Sequence, residues 1–203
     1  IASRLPPYLS LRDWTLRYST EHHGCSLRTM YQRCAAAGPT VLVVLDAQGA
    51  RFGGFASERW APDARYSGTG ESFLFRANPA PASGSGDGDG RGPGSAPPTI
   101  YPWSGTNSHF QLGFHDSIAM GGGGHFGLWL DEAFEYGSSG RSETYLNEPL
   151  GSDESFRVLR VELWECTEPT TPRTPEGGGG VSPQVSPTSA QAPAAGGGGV
   201  LVG

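Results

Sequence analysis

Carboxylates, imidazoles, hydroxyls and thiols are the side chains in this sequence whose types carry chemistry. Glu71 follows Gly68-Thr-Gly70 and precedes the apolar Phe73-Leu-Phe75, so it is a carboxylate beside an apolar run. A carboxyl group serves as general acid or base when burial and a partner tune its proton affinity. His125, Asp116 and Asp131 are the partners the sequence offers. Nothing in the spacing brings them together, so Glu71 is expected to be a buried, hydrogen-bonded or ion-paired residue, with Glu71 and His125 the only catalytic candidates. Gly121, Gly122, Gly123 and Gly124 run directly into His125, and consecutive amides of this kind can make an anion nest. A phosphate loop opens a helix, however, and the following Phe126-Gly-Leu-Trp-Leu-Asp131 reads as a strand. A tight connection between strands is the expected role.

The remaining candidates are weaker. Adjacent imidazoles at His22-His23 diverge, and no Cys or acidic residue recurs near them at zinc-site spacing. No metal and no cofactor is expected. Ser138, Ser139 and Ser142 offer hydroxyls without the Gly-x-Ser-x-Gly elbow of a serine hydrolase. Cys25 and Cys34 lie in or beside one expected helix, nine residues apart. That places them roughly 13 Å apart on opposite sides, beyond the roughly 7 Å that a disulfide spans. With Cys166 they point to reduced thiols and hence to the cytosol, with mitochondrial and nuclear forms as alternatives. Burial of Cys34 on the helix core face argues for an inert thiol.

Composition narrows the function classes. The chain of 203 residues carries 14 basic and 20 acidic groups, a net charge of -6, and all its basic residues are arginine. An acidic balance disfavours nucleic-acid binding, which needs a clustered basic patch, and adhesion to an anionic membrane surface. No run approaches the roughly 20 apolar residues of a membrane span. No signal peptide is evident, and a start at Ile1 is compatible with a fragment of a longer product. A monomer is expected.

The elements that must position these residues are mostly strands. Gly (32) and Pro (17) make about a quarter of the chain, and they concentrate in residues 78–99 and 167–203. Both segments lack side chains able to offset the entropy of ordering and are expected to be disordered, leaving residues 1–166 as a single domain. Within it, Trp14 to Tyr18 alternates as a strand. Ser26 caps a helix whose Leu27, Met30, Tyr31 and Cys34 share one face. Thr40 to Leu45 is a continuous apolar run, as in a strand buried on both faces. Asp46 to Gly49 turns it into Arg51 to Ser57, where Gly53-Gly54 marks a bulge or a close backbone approach. Further strands are expected at Glu71 to Arg76, Ile100 to Trp103, Phe110 to Leu112, Ser117 to Met120, Phe126 to Leu130 and Phe156 to Glu165. In the last, Leu159, Val161 and Leu163 share one face, opposite Arg160 and Glu162. The predicted fold class is α+β, a β-rich sandwich of two antiparallel sheets flanked by a few short helices. The tryptophans are expected in its core, with Trp60 the most exposed.

Several stretches in order resemble the TLDc domain family. They are Asp13-Trp-Thr-Leu-Arg-Tyr-Ser19, His23-Gly-Cys-Ser-Leu27, Gly38-Pro-Thr-Val-Leu-Val-Val44, Phe52-Gly-Gly-Phe-Ala-Ser57 and Gly68-Thr-Gly-Glu-Ser-Phe-Leu-Phe75. Trp103-Ser-Gly-Thr-Asn-Ser108, Gly121-Gly-Gly-Gly-His-Phe-Gly-Leu-Trp-Leu-Asp131, Glu143-Thr-Tyr-Leu-Asn-Glu-Pro-Leu150 and Val161-Glu-Leu-Trp164 complete the series. The resemblance implies a β-sandwich with short helices and a role in oxidation resistance and the response to oxidative stress. In several members of the family it also implies binding to the vacuolar-type proton ATPase, with effects on that pump's assembly. Many relatives carry Cys where this chain has Ser142, which puts a redox role at that position in doubt. Loops held on a rigid scaffold carry binding disproportionately, so Trp103, Gly105 and Asn107 together with Gly121 to His125 are the expected partner-binding loops of an interaction module. The alternative is a weak enzyme or direct antioxidant using Glu71 or a cysteine, although no nucleophile–base–orienter set is legible.

Overall fold

The computed structural model describes residues 13–77 and 97–167. Strand β1 (Asp13–Ser19) leads into a one-turn helix α1 (Thr20–His23) and then helix α2 (Leu27–Arg33). Ser26 caps α2 as its spacing predicts, its side chain accepting from the Thr29 amide at 3.3 Å. This supplies one of the partners a helix start lacks. Leu27, Met30 and Cys34 are buried beneath it.

The strands that follow are β2 (Thr40–Asp46), β3 (Arg51–Ala56), β4 (Tyr66–Ser67), β5 (Phe73–Arg76), β6 (Thr99–Pro102) and β7 (Gln111–Gly113). They continue with β8 (Ser117–Met120), β9 (Leu128–Asp131), β10 (Tyr136–Ser138) and β11 (Ser155–Thr167). α1, β4 and β10 are too short to leave a periodic signal. The expected disorder of 78–99 and 167–203 falls almost wholly outside the described residues. At its margins, Thr99 pairs with Arg76 and Thr167 with Asp13, so both are strand residues.

The α+β class holds, with antiparallel strands dominating. In place of two separate sheets, the described strands form one continuous 11-stranded sheet in the order β4-β7-β8-β9-β10-β11-β2-β3-β5-β6, with β1 also paired to β11. The reason is the length of β11. Its start pairs with β10 through Ser155 to Arg157, while the rest pairs with β2 on one side and β1 on the other. One strand therefore joins two wings.

Side chains of both wings enter a single core: Leu42, Val44, Phe52 and Leu74 from one, Ile118, Met120, Leu128 and Leu130 from the other. Gly53-Gly54 makes a close approach and no bulge, since the β2–β3 and β3–β5 registers run through it unbroken. A Cβ at Gly54 would lie 2.5 Å from Met120 Sδ. A smaller cluster on the far side of β2 contains Val41, Phe55, Phe73, Phe75 and Cys166, so β2 is covered on both faces as its apolar run predicts.

Two expectations for large apolar side chains also fail. Leu159 does not share the buried face of Val161 and Leu163: a register shift between Val158 and Arg160 resets the alternation, leaving Leu159 65 % exposed. Trp60 is not the exposed tryptophan but 2 % exposed, packed with Leu42, Ile118 and Leu130. Trp103, at 42 %, is the most exposed of the five. The Pro62 that follows Trp60 puts the chain on the surface without fixing where the preceding ring points.

Candidate functional site

The expected partner loops meet through a third segment, residues 139–147, between β10 and β11. Four polar side chains there, Ser139, Ser142, Thr144 and Asn147, are essentially fully buried. Burial of this kind requires partners, and the partners are the two loops. The Thr144 hydroxyl donates to Asn107 Oδ1 at 2.7 Å and accepts from the Gly122 amide at 3.0 Å. The Thr144 carbonyl accepts from the Ser104 amide at 2.8 Å, and Ser104 Oγ donates to the Glu143 carbonyl at 2.7 Å. Asn147 Oδ1 accepts from Ser142 Oγ at 2.7 Å, and its Nδ2 donates to the Gly140 carbonyl at 2.8 Å. Ser139 Oγ donates to the Gly127 carbonyl at 2.5 Å and accepts from the Leu150 amide at 2.9 Å. Of the three hydroxyls that looked like hydrolase candidates, those of Ser139 and Ser142 are thus committed to structure.

Each predicted residue now has a place. Trp103 donates from Nε1 to the Asn107 carbonyl at 2.7 Å and sets its ring edge-on to Phe110 at 5.5 Å. Gly105 is exposed with φ +82°, at the open tip of that loop. Gly121 to Gly124 connect β8 to β9, with Gly121 and Gly122 buried and Gly124 and His125 exposed. No helix follows them, so the geometry of a phosphate-binding helix start is absent. Gly122, Gly123, Gly124 and His125 form one wall of a cleft of about 460 Å³, whose other parts include Tyr66, Ser138, Glu154 and Ser155. Tyr66 stacks on His109 with ring centroids 4.3 Å apart. Sequence reasoning missed Thr144, Asn147, Tyr66 and Glu154. Thr144 and Asn147 lay inside a recognised stretch, but their burial is a tertiary fact.

The catalytic candidates do not assemble. Glu71 is exposed in the turn before β5, not buried as expected; the preceding Gly70 lies beneath the Trp103 ring, which holds the turn at the surface. Asp131 Oδ1 accepts from the Glu135 and Tyr136 amides, closing the β9–β10 turn. Asp116 is exposed and accepts from Ser117 Oγ. In α1, His23 Nδ1 accepts from the Ser19 amide at 3.0 Å. Among the described residues no three His, Cys, Asp or Glu side chains gather as a metal site would require. None of the three cysteines is in a disulfide: Cys25 is exposed in the short link before α2, while Cys34 and Cys166 are buried. Burial pushes the Cys34 thiol up to about 12, against a lowering by Arg17, so it stays protonated at neutral pH.

Comparison with known proteins gives a consistent picture. The model of the TLDc domain matches residues 1–167. Human nuclear receptor coactivator 7 is 36 % identical over 166 residues, covering 81 % of this chain and 16 % of that protein. Rat oxidation resistance protein 1 is 34 % identical over 166 residues, again 81 % of this chain, and 18 % of that protein. Oxidation resistance protein 1 of Gibberella zeae is 39 % identical over 193 residues, 75 % of this chain and 58 % of that protein. The chain therefore spans less than a fifth of the two animal relatives' length.

Proposed function

Because this chain belongs to the TLDc domain family, we propose that it is an interaction module acting in resistance to oxidative damage, with the vacuolar-type proton ATPase as its partner. The observation that carries the reading is the Thr144 hydroxyl, which ties the Asn107 loop to the Gly122 loop. Buried hydrogen bonds of this kind hold in place what they join, and a preorganised surface binds without a large ordering cost. Glu71 and His125, by contrast, stand exposed in separate turns, before β5 and between β8 and β9. The names of the oxidation-resistance relatives supply the physiological setting. The module would act as a cytosolic monomer, and the pump would be engaged through residues 103–107 and 121–125 and released in a changed assembly state.

The test is to add the chain to purified vacuolar-type proton ATPase and follow pumping together with release of the soluble sector. Loss of pumping with release is the expected outcome, and a Thr106→Glu, His125→Glu double variant at the exposed loop tips should lose the effect. Full activity of that variant would remove the proposed surface. An intact, pumping enzyme in the presence of the unaltered chain would remove the partner.

A further inference from the structure

We propose that the cleft between the Gly122–His125 loop and the start of β11 receives an arginine side chain presented by a protein partner. This rests on the reading of the domain as an interaction module and adds the chemistry of what it recognises. Among the described residues, Glu154 is the one carboxylate on the cleft wall. Glu143 stands beside this wall without lining the cleft: a Cβ built on Gly123 would lie 2.5 Å from its Oε2. Both glutamates are exposed, and neither makes an ion pair with a described residue. Arg141, next in the chain to the cleft residue Gly140, is exposed but is not part of the wall.

The rest of the lining fits a cation of this shape. The Ser138 and Ser155 hydroxyls can accept from a donor, and Tyr66 adds aromatic surface. A guanidinium offers several donors in one plane and packs on aromatic rings, and its bonds to carboxylates are charge-assisted. A carboxylate beside the glycine loop argues against a phosphate there, since Glu143 lies against Gly123 and would repel an anion bound to it. The net charge of -6 on the whole chain acts in the same direction, drawing a basic partner surface inward.

The experiment is an amide-shift titration of the isotope-labelled full chain with acetyl-Gly-Arg-Gly-amide. The neutral citrulline tripeptide and the phosphoserine tripeptide serve as comparisons. Saturable shifts at Gly122 to His125 and at Gly140 are expected with the arginine peptide, and weak or no shifts with the other two. Glu154→Gln should weaken the arginine peptide about tenfold, the scale of one hydrogen bond to a charged group. Glu132→Gln, at an exposed glutamate in the β9–β10 turn outside the wall, should change nothing. Both substitutions are at exposed positions, so the unshifted remainder of the spectrum reports that each variant is folded. Equal shifts with citrulline, stronger shifts with phosphoserine, unchanged affinity in Glu154→Gln, or no shifts at all would each overturn the assignment. Arginine-peptide binding by a chain that leaves the proton pump untouched would keep the cleft and discard the pump. An active module with a silent cleft would do the reverse.

Discussion

A single hydroxyl does more for the candidate site than any of its charged residues. Thr144 is inaccessible to solvent, and its side chain joins the two loops on either side of β7 and β8. Replacing it with valine keeps the shape and leaves the Asn107 and Gly122 groups without that partner. The expected loss is about 1–3 kcal/mol of stability, the cost of leaving buried polar atoms unpaired. A lowered urea midpoint with an unchanged slope would show it, as would faster hydrogen exchange at the Gly122 amide. An unmoved midpoint would mean that water replaces the hydroxyl and that the loops are held by other contacts. The residue types here were legible in the sequence, and Asn107 and the four glycines were chosen for their loop character. Thr144 was not, because a threonine in a polar stretch carries no mark of its burial.

The elements owe their arrangement to where side chains are missing as well as to where they pack. Strand β3 crosses the core with Gly54 against Met120 Sδ and the Leu74 side chain, so the two wings approach each other through a gap in the side-chain layer. Interiors are packed too densely to absorb an added methyl there. Gly54→Ala is expected to cost about 1–3 kcal/mol through overpacking, read as a drop in the thermal midpoint. A Gly54→Ala, Met120→Ala double variant that recovers none of that loss would show that the strain lies elsewhere. The glycine pair in an otherwise apolar strand was a readable sign of close approach. The neighbour it makes room for was not readable, because β8 lies more than sixty residues further along. Leu159 shows the converse: strict alternation buries it, and one bulge in β11 exposes it.

For the whole molecule, the buried titratable groups set a direction for stability against pH. Burial raises the Cys34 thiol from 9.0 to about 12, and burial likewise raises the Tyr31 and Tyr145 hydroxyls above the ordinary phenol range. The unfolded chain therefore releases these protons first. Their contribution to stability is complete below about pH 9 and is lost as pH rises toward and beyond the folded values. Urea midpoints should fall between about pH 8 and about pH 10.5, with a shallower fall in Cys34→Ala; a rise over that interval would contradict the burial of these groups. Local pattern by itself determined the β-rich α+β class, the capped helix α2, the doubly covered β2 and the family, because alternation, caps and motif order are written in neighbouring residues. Tertiary structure alone decided that one long strand joins both wings into a single sheet, that Trp60 is inside and Glu71 outside, and that Thr144 links the two loops. Those outcomes depend on which distant segments come to lie against each other, and on whether a partner is there when a polar group leaves water.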